Sequence, residues 1–471
     1  MIKITKWLLL AFLVSVPLRA GAQTVNAESC SATDVQNAIN SASTGYIVNV
    51  PAGTCSWPAG SVTLNKAITL NGAGQGTTVG SDQTAAGAAT QSCASSGTCI
   101  DVTGTPGSVT FAITMSSAGN IRIQDFAFTL TNNTNYIHPV AVTGTWPPPH
   151  AVIWSNDTFT VNSGTMMDSR VAGGVIFSHI TFNGNWNDFF LTIKDDTDTN
   201  SWTTANTLGS ADTTGLNNLY IEDSQFNGGS NGVFDCDDEC RIVVRHDTFV
   251  ESGGFNSHGE ATSPYGMREF EIYSNTFTIP DKSCNQGNSS LSNINQYVWI
   301  RGASGVIYNN TFQSLYSPDC WGNKPTIRLN DRGAEDNRPQ GSCSQVTYPI
   351  PHQLGQDNNG THDFTDPIWF WGNLSSDGAN PGPYFIQATS GWQWGNPCGF
   401  DWNTFFQWGR DAVNSSLVLP LVLSSNGGPV EGKGGVAKPG YAAYTYPHPL
   451  AGGASSSGGP VAPTNLIATV D

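Results

Sequence analysis

The sequence predicts an all-β protein that folds as a right-handed parallel β-helix, with an N-terminal cap, a loop-rich C-terminal flank and a Gly/Ser/Pro tail. Three observations predict it: a recurring short phrase, the regular spacing of that phrase, and a near absence of helical periodicity. The phrase is a run of alternating apolar residues, a polar bend and a closing phenylalanine. It occurs at 152–159, 175–182, 219–226, 242–249, 270–277 and 305–312.

Each phrase is typical of one strand, a bend at Asn, Asp or His, and a second short strand opened by an inward phenylalanine. The closing phenylalanines stand 23 residues apart from 159 to 182 and again from 226 to 249. A unit of this size cannot bury its apolar face alone, but units stacked about 4.8 Å apart can. We therefore predict stacked coils, clearest over residues 50–315. A β-sandwich is disfavoured because it would place strands every ~8–12 residues, joined by hairpin turns.

The composition excludes several classes of function. The chain has 36 acidic and 19 basic side chains and a formal net charge of −17, with no basic stretch to neutralise phosphates. Nucleic acid and anionic membrane surfaces are therefore not expected partners. The 14 Trp, 13 Tyr and 22 Phe exclude a disordered chain. An acidic substrate would need a metal bridge or a local cluster of arginines.

The first residues indicate export. Lys3 and Lys6 precede an apolar run over 7–18 and the small residues Ala20-Gly21-Ala22, which is the order of a secretory signal peptide cleaved after Ala22. The run is shorter than the ~20 residues of a membrane-spanning helix. We expect residues 1–22 to be removed, with no membrane insertion afterwards, and the mature chain to be secreted, extracellular or at the cell surface.

All 10 cysteines follow the predicted cleavage site, which in an oxidising compartment predicts up to five disulfides. The pairs Cys93/Cys99 and Cys236/Cys240 are close enough to form small clips, while the full connectivity stays open. Zinc is disfavoured because the chain has no CxxC pair.

We divide the mature chain into a β-helix domain over 23–425 and a linker-like tail over 426–471, and we expect a monomer. Within the domain, residues 316–425 form the loop-rich flank, where the phrase Trp369–Leu374 predicts a late strand and the rest predicts loops. The tail is rich in Gly, Ser and Pro, as linkers are.

One acidic region is a candidate for chemistry. Phe234 and Cys236 should point inward, so Asp235 and Asp237 should point outward. A coil of 23 residues would stack Asp235 under His258, and residue 260, a glutamate, over Asp237. Such carboxylates either share a proton or bind a cation such as Ca²⁺, and a nearby imidazole can act as a general base. The alternative is a solvated acidic turn closed by a Cys236–Cys240 disulfide.

Basic and aromatic residues supply candidates for substrate binding. Arg241, Arg268 and Arg301 precede their phenylalanines at similar distances, and Arg245 lies at a turn. Arginine clusters bind carboxylates in bidentate fashion, although the same row can serve as an Arg/Asp ladder that only stabilises the stack. Aromatic residues in the loops can stack on sugar rings or can plug the solenoid. They include Trp186, Tyr265 and Trp321.

The segments 34–42, 48–55 and 68–74 resemble the capping helix and first coil of secreted pectate-lyase-like β-helix proteins. The phrases over 268–277 and 301–312 resemble those of exported bacterial members of this superfamily, most of them uncharacterised. Asp237-Asp238 and His258-Gly259 resemble the paired Asp and the His-Gly of polygalacturonase-type hydrolases, but the Asn-Thr-Asp and Arg-x-Lys triplets of those enzymes are absent. The superfamily includes lyases, hydrolases, epimerases and adhesins, so the resemblance is specific for fold and weak for chemistry.

These observations predict an exported carbohydrate-active protein that acts on an extracellular polysaccharide. The leading hypothesis is Ca²⁺-assisted β-elimination on a uronate-containing polymer, with His258, Arg268 or Arg301 as the base and no organic cofactor. The cation site would be Asp235, Asp237 and Glu260; the substrate contacts would be Arg241, Arg245, Trp186, Tyr265 and Trp321. The alternatives are an inverting hydrolase that pairs Asp237 with Glu260 or Asp238, and a non-catalytic adhesive or structural solenoid.

Overall fold

The architecture is a stack of parallel coils, seen in a computed structural model. The structure describes residues 22–75, 96–105, 107–131, 138–184, 189–193, 207–209, 212, 214–229, 232–237, 239–257, 267–278, 296–313, 316–317, 322–323, 327–331, 354–355, 366–376, 381–382, 384–390, 406–414, 430–432 and 437–452.

The elements of the first coils are β1 (Thr24–Asn26), α1 (Ala32–Ser41), β2 (Ile47–Asn49), β3 (Gly53–Ser56), β4 (Val62–Leu64), β5 (Thr69–Asn71) and β6 (Thr98–Asp101). The next coils contain β7 (Phe111–Thr114), β8 (Ile121–Gln124), β9 (Ala127–Leu130), β10 (Val140–Thr143), β11 (Val152–Ser155), β12 (Thr158–Val161), β13 (Thr165–Ser169), β14 (Val175–Ser178), β15 (Thr181–Gly184) and β16 (Phe189–Ile193).

The central coils contain β17 (Leu219–Glu222), β18 (Gln225–Asn227), β19 (Phe234–Cys236), β20 (Arg241–Arg245), β21 (Thr248–Val250), β22 (Phe255–Ser257), β23 (Glu269–Tyr273), β24 (Thr276–Thr278), β25 (Val298–Ile300), β26 (Ser304–Tyr308) and β27 (Thr311–Gln313). The last elements are β28 (Tyr316–Ser317), β29 (Gly322–Asn323), β30 (Ile327–Asp331), β31 (Ile368–Trp371), β32 (Leu374–Ser376), β33 (Pro381–Gly382), β34 (Tyr384–Ser390), β35 (Ala412–Asn414) and β36 (Val430–Gly432).

The strands form three long sheets, and the chain visits them in turn. Sheet A runs β1-β2-β5-β8-β11-β14-β17-β20-β23-β26-β31-β35, sheet B runs β3-β6-β9-β12-β15-β18-β21-β24-β27-β32-β33, and sheet C runs β4-β7-β10-β13-β16-β19-β22-β25-β30-β34-β36. Neighbouring coils pair in parallel, for example β11 with β14 and β20 with β23. Crossovers between parallel strands are right-handed in nearly all proteins. The molecule is therefore the right-handed parallel β-helix that the sequence predicts.

The interior confirms the predicted role of the phenylalanines. On sheet B, residues of successive coils pair in register through Phe128, Phe159, Phe182, Phe226, Phe249, Phe277 and Phe312. The ring centroids of Phe249 and Phe277 are 4.5 Å apart and the rings are nearly parallel. Helix α1 closes the N-terminal end of this core with Val35, Ala38 and Ile39, and the Ser31 hydroxyl caps it by accepting from the Asp34 amide.

The connection from sheet A to sheet B is a tight turn that recurs in eight coils. Its first residue has a positive φ: Asp125, Asn156, His179, Asp223, His246, Ser274, Asn309 and Gly372. The next residue is buried, and we call this series the turn ladder: Phe126, Asp157, Ile180, Ser224, Asp247, Asn275, Asn310 and Asn373. Asn, Asp and His adopt the left-handed conformation more readily than most side chains, which explains why the bends fall on these residues.

The C-terminal strap (residues 437–452) packs on the outer face of sheet A. Arg245 donates to the carbonyl oxygens of Tyr444 at 3.0 Å and Thr445 at 3.2 Å, while Glu222 accepts from the His448 amide at 2.9 Å. Arg245 and Glu222 pair with each other at 2.7 Å, both fully buried. The strap is therefore anchored to the solenoid by a buried ion pair that also binds its backbone.

Two predictions about the C-terminal part need correction. The flank holds more than the late strand predicted at Trp369–Leu374: β30, β34 and β35 also continue the parallel ladders of sheets C and A. Strands can pair over short backbone segments, and such short segments are hard to recognise in a sequence when Pro and Gly surround them. The tail is not simply a linker either, because β36 pairs with β34 and the strap packs on sheet A. The aromatic side chains of the strap supply apolar contacts that the Gly-, Ser- and Pro-rich composition of the tail does not predict.

Two of the predicted properties concern the compartment. Disulfides join Cys30 to Cys55 and Cys236 to Cys240, the second being a predicted clip. Residues 1–21 lie outside the described residues. Among the described residues, no helix is long and apolar enough to cross a membrane.

Removing the strap's anchor should destabilise the protein. In Arg245→Ala, Glu222 would remain buried without its partner, and breaking a buried pair costs about 3–5 kcal/mol. We expect a lower midpoint of unfolding in urea and faster protease cleavage within 437–452. In the control Tyr446→Phe, the hydroxyl that is lost belongs to a side chain 39% exposed, so the effect should be well under half as large. Unchanged protection of the strap in Arg245→Ala would contradict this account.

Candidate functional site

The outer face of sheet C carries a row of mostly polar side chains, one from each coil. The strand register aligns Asp168, Thr192, Asp235, Asn256, Trp299 and Arg328, which we call the sheet C row. Their strand neighbours point inward: Phe234 and Cys236 beside Asp235, and Val298 and Ile300 beside Trp299, are fully buried. The alternation therefore brings residues far apart in sequence onto one face.

The acidic end of this face is formed by β19 and the turn after it. Asp235 is half-buried, and Asp237, two residues later on the same side, is 7% exposed. The Asp237 amide donates to the Ile193 carbonyl at 2.8 Å, and the Cys236–Cys240 disulfide closes the turn. The outward direction predicted for Asp235 and Asp237 fits this alternation, although Asp237 is less exposed than a solvated turn would be.

The predicted stacking of Asp235 under His258 is wrong. Asp235 pairs in register with Asn256, 21 residues later, whereas Glu222 and Arg245 on sheet A are 23 residues apart. The physical reason is the connection from sheet B to sheet C. It spans eight residues from Phe226 to Phe234 but six in the next coil, from 249 to 255. Coils of a solenoid can absorb such changes in their turns without disturbing the stacked strands.

Beside Asp235, the row holds buried polar atoms without a hydrogen-bond partner among the described residues. From these residues, the side-chain oxygen of Asn256, a residue 1% exposed, accepts no hydrogen bond, and to them the indole nitrogen of Trp299 donates none. Leaving a buried polar atom unsatisfied costs about 1–3 kcal/mol. Such atoms on a face that also carries carboxylates and guanidinium groups are typical of a ligand-binding site.

The basic end of the face surrounds Trp299. The Arg301 guanidinium lies 3.5 Å from the ring centroid and that of Arg328 lies 4.9 Å from it. The Arg301 amide donates to the Ser257 hydroxyl at 2.8 Å, which ties it to the neighbouring coil. Burial lowers the pKa of Arg328, but a guanidinium stays charged at physiological pH. Two positive charges are therefore held against one aromatic ring.

A histidine lies near the acidic end. Burial and the charge of Arg170 together lower the pKa of His138 to about 4, against the opposing charge of Asp235. Arg170 itself pairs with Asp168 at 2.7 Å. His138 is therefore a neutral imidazole at neutral pH, and its pKa reports on the charges of this face.

Three of the predicted arginines lie elsewhere. Arg241 begins a strand of sheet A, is fully buried, and pairs with Glu269 at 3.3 Å, as the structural alternative for the arginine row described. Arg268 is fully buried before β23, and Arg245 lies under the strap. The structure thus places Asp235, Asp237 and Arg301 in or directly after strands of sheet C that are two coils apart, and the rest of the arginine row in or directly before strands of sheet A.

Five predicted site residues lie outside the described residues: His258, Glu260, Trp186, Tyr265 and Trp321. Sequence reasoning missed Asn256, Trp299, Arg328 and His138. The available signal was alternation, because Trp299 and Arg328 each stand between two aliphatic residues in a short run, Val-Trp-Ile and Ile-Arg-Leu. Recognising them as one row required the strand register.

The oxygen atoms at the acidic end of this face are of the type that a hard cation prefers as ligands. Calcium prefers six to eight oxygen ligands, and Asp235, Asp237 and Asn256 would supply two carboxylates and one unsatisfied amide oxygen. Within the described residues, no group of three or more His, Cys, Asp or Glu side chains forms a metal site. The set would therefore need further ligands from outside these residues.

The comparisons with known proteins add little. No protein-family model matches the chain, and no curated protein matches it. Among solved structures, the chain is similar to the family 28 exopolygalacturonase of Yersinia enterocolitica, with 11% identity, coverage of 79% of this chain and 78% of that chain, and a TM-score of 0.27. At this similarity the match carries no argument about chemistry, so the function must be inferred from the residues of the face.

The charges around His138 can be tested by NMR titration of the imidazole. We expect its pKa near 4 in the unmodified chain, a higher value in Arg170→Gln and a lower value in Asp235→Asn. Because unfolded His138 titrates near pH 6.5, this group makes the fold less stable as the pH falls from about 6.5 towards 4. The signal is assigned by its loss in His138→Gln. A pKa insensitive to both charge changes would contradict the proximity of these groups.

Proposed function

We propose that this chain is an exported enzyme that cleaves an acidic polysaccharide bound along the outer face of sheet C. The observation that carries the proposal is the polarity of the face: Asp235 and Asp237 at one end, and Trp299 with Arg301 and Arg328 at the other. The disulfides at Cys30–Cys55 and Cys236–Cys240 support export, because structural disulfides persist in oxidising compartments.

The basic end supports recognition of a sugar acid. A uronate presents an apolar ring face and a carboxylate; Trp299 would stack on the first, and a guanidinium of Arg301 or Arg328 would bind the second. In register, Asp235 and Arg328 are three coils apart, roughly 14 Å at ~4.8 Å per coil. The face is therefore long enough to contact more than one sugar, as a polymer-binding surface requires.

For the reaction, we propose β-elimination. A base removes the proton at C5 of the uronate, the electron pair forms the C4=C5 double bond as the C4–O bond breaks, and the departing oxygen takes a proton from water. His258, next in sequence after Ser257 of β22, is the proposed base, because an imidazole exchanges protons near neutral pH whereas a guanidinium does not. Arg328, the more exposed of the two arginines at Trp299, would hold the carboxylate.

Calcium would neutralise the uronate carboxylate and so favour loss of the C5 proton. Asp235, Asp237 and Asn256 would contribute to its site, and Glu260 remains a proposed ligand on sequence grounds. Trp186, Tyr265 and Trp321 likewise remain proposed substrate contacts.

One observation favours a second candidate. Asp235 in β19 and Asp237 in the turn after it are two residues apart, which places their Cα atoms at most about 7 Å from each other. Inverting glycoside hydrolases hold their two carboxyl groups ~6.5–9.5 Å apart, with a water between them. A hydrolase would generate reducing ends without an unsaturated sugar.

A screen of the purified mature chain against acidic and neutral polysaccharides, with Ca²⁺ and then with chelator, tests the proposal. We expect ultraviolet-absorbing unsaturated products from a uronate polymer only with Ca²⁺. Arg328→Gln should lower kcat/KM roughly tenfold or more, since a charged hydrogen bond contributes about 1.5–3 kcal/mol. Trp299→Ala should lower kcat/KM as well, because it removes the ring on which the sugar would stack. The matched control is Arg410→Gln, which removes the same charge from an arginine paired with Asp411.

The products decide between the candidates. Reducing ends without unsaturation, lost in Asp235→Asn, would replace the lyase with the hydrolase. Binding without any product would leave the adhesive solenoid, and neither binding nor product on any acidic polymer would overturn the proposal. Thermal unfolding of each variant separates loss of function from loss of fold.

A further inference from the structure

The turn ladder contains three asparagines that make the same two contacts. The side-chain oxygens of Asn275, Asn310 and Asn373 accept from the backbone amide of the preceding rung, at 2.9, 3.0 and 3.1 Å. Each side-chain nitrogen donates to the carbonyl three residues before that preceding rung. These acceptors are Val244 at 2.9 Å, Ile272 at 3.0 Å and Ile307 at 2.8 Å.

Two rungs of the same ladder are aspartates. Oδ1 of Asp157 accepts from the Phe126 amide at 2.9 Å, and Oδ1 of Asp247 accepts from the Ser224 amide at 2.8 Å, so both repeat the first asparagine contact. Their Oδ2 atoms are buried and have no hydrogen-bond partner within the part of the chain that the structure describes. By the pattern of the asparagine rungs, these oxygens take the place of the asparagine nitrogens, and the carbonyls of residues 123 and 221 are the acceptors expected opposite them.

Two facing oxygens without a hydrogen between them repel each other. We propose that Asp157 and Asp247 are neutral carboxylic acids in the folded chain, that their Oδ2–H groups donate to the carbonyls of Ile123 and Ile221, and that they make the solenoid less stable as the pH rises. The two acids thereby complete the ladder as asparagine does, but only while each holds a proton.

The carboxylates near both groups act in the same direction as burial, and a nearby arginine opposes them. Burial raises the pKa of Asp247 well above its ordinary value, the carboxylates of Asp223 and Glu222 raise it further, and Arg245 opposes. The Tyr446 hydroxyl, from the strap, donates a hydrogen bond to Asp223, one of these two carboxylates.

Around Asp157 the arrangement is similar. Burial raises the pKa of this carboxyl group well above its ordinary value and the charge of Asp125 raises it, while Arg122 opposes. Both aspartates are at most 1% exposed, so water cannot solvate an ionised form.

The sign of the pH effect follows from linkage. Below about pH 3.9 both the folded and the unfolded forms hold the proton, and the contribution of each acid to stability is present in full. Above it, the unfolded aspartate ionises while the folded one does not. The unfolding equilibrium constant then rises up to about tenfold per pH unit for each acid, until the pH passes the folded pKa.

Asparagine substitution tests the proposal directly. Asp157→Asn and Asp247→Asn supply the donor without a titrating proton. We therefore expect little change in the urea midpoint near pH 4 and a stabilisation that grows about tenfold in the unfolding constant per pH unit up to pH 7. The infrared band of a protonated carboxyl at neutral pH should weaken in each variant and disappear in the double variant.

The matched control reverses the change. Asn275→Asp, in the next rung after Asp247, should introduce a protonated-carboxyl band and the same pH dependence in the opposite direction. If both asparagine variants kept the pH dependence of the unmodified chain, or if no protonated-carboxyl band were present at neutral pH, the proposal would be overturned. The infrared measurement needs only folded protein, so it decides the question even where unfolding is irreversible. Neither result depends on the proposed enzymatic function.

Discussion

The left-handed residue that ends each sheet A strand is the constraint on which the rest of the molecule depends. One residue with positive φ, such as Asn156 or His246, turns the chain from sheet A into sheet B within two positions. The short turn leaves no freedom for the sheet B strand to slip, so Phe159 and Phe249 fall into the same column. The strand register that this turn sets between sheets A and B also limits how the strands of sheet C can pair.

The ladder inside these turns shows how a solenoid satisfies backbone groups at a corner. Asparagine suits the position because its side-chain oxygen accepts from a backbone amide of the preceding coil, while its side-chain nitrogen donates to a carbonyl of that same coil. Asn275 and Asn310 make both contacts. Aspartate offers the acceptor alone unless it is protonated. The same geometry that stabilises the stack therefore forces an unusual protonation state on Asp157 and Asp247.

The two outer faces manage charge differently. On sheet A, Glu222 and Arg245 are buried against each other and against the strap, so their charges stabilise a fixed contact. On sheet C, Asp235 and the guanidinium groups around Trp299 lie on a face where Asn256 still holds an unsatisfied oxygen. The arginines and acids on sheet A are thus structural, whereas those on sheet C are the reason to propose substrate binding.

The sequence by itself determined the architecture: a repeated phrase with an inward phenylalanine specifies one coil, and only stacking buries it. It also assigned Asp235 and Asp237 to an outward face, since alternation assigns a side chain to a face from local information. Only the tertiary structure decided which charges meet. The position of Asp235 opposite Asn256, the pair of Arg241 with Glu269, and the two arginines at Trp299 all depend on turn lengths that vary from coil to coil. Register is a property of the stacked strands, and no single coil encodes it.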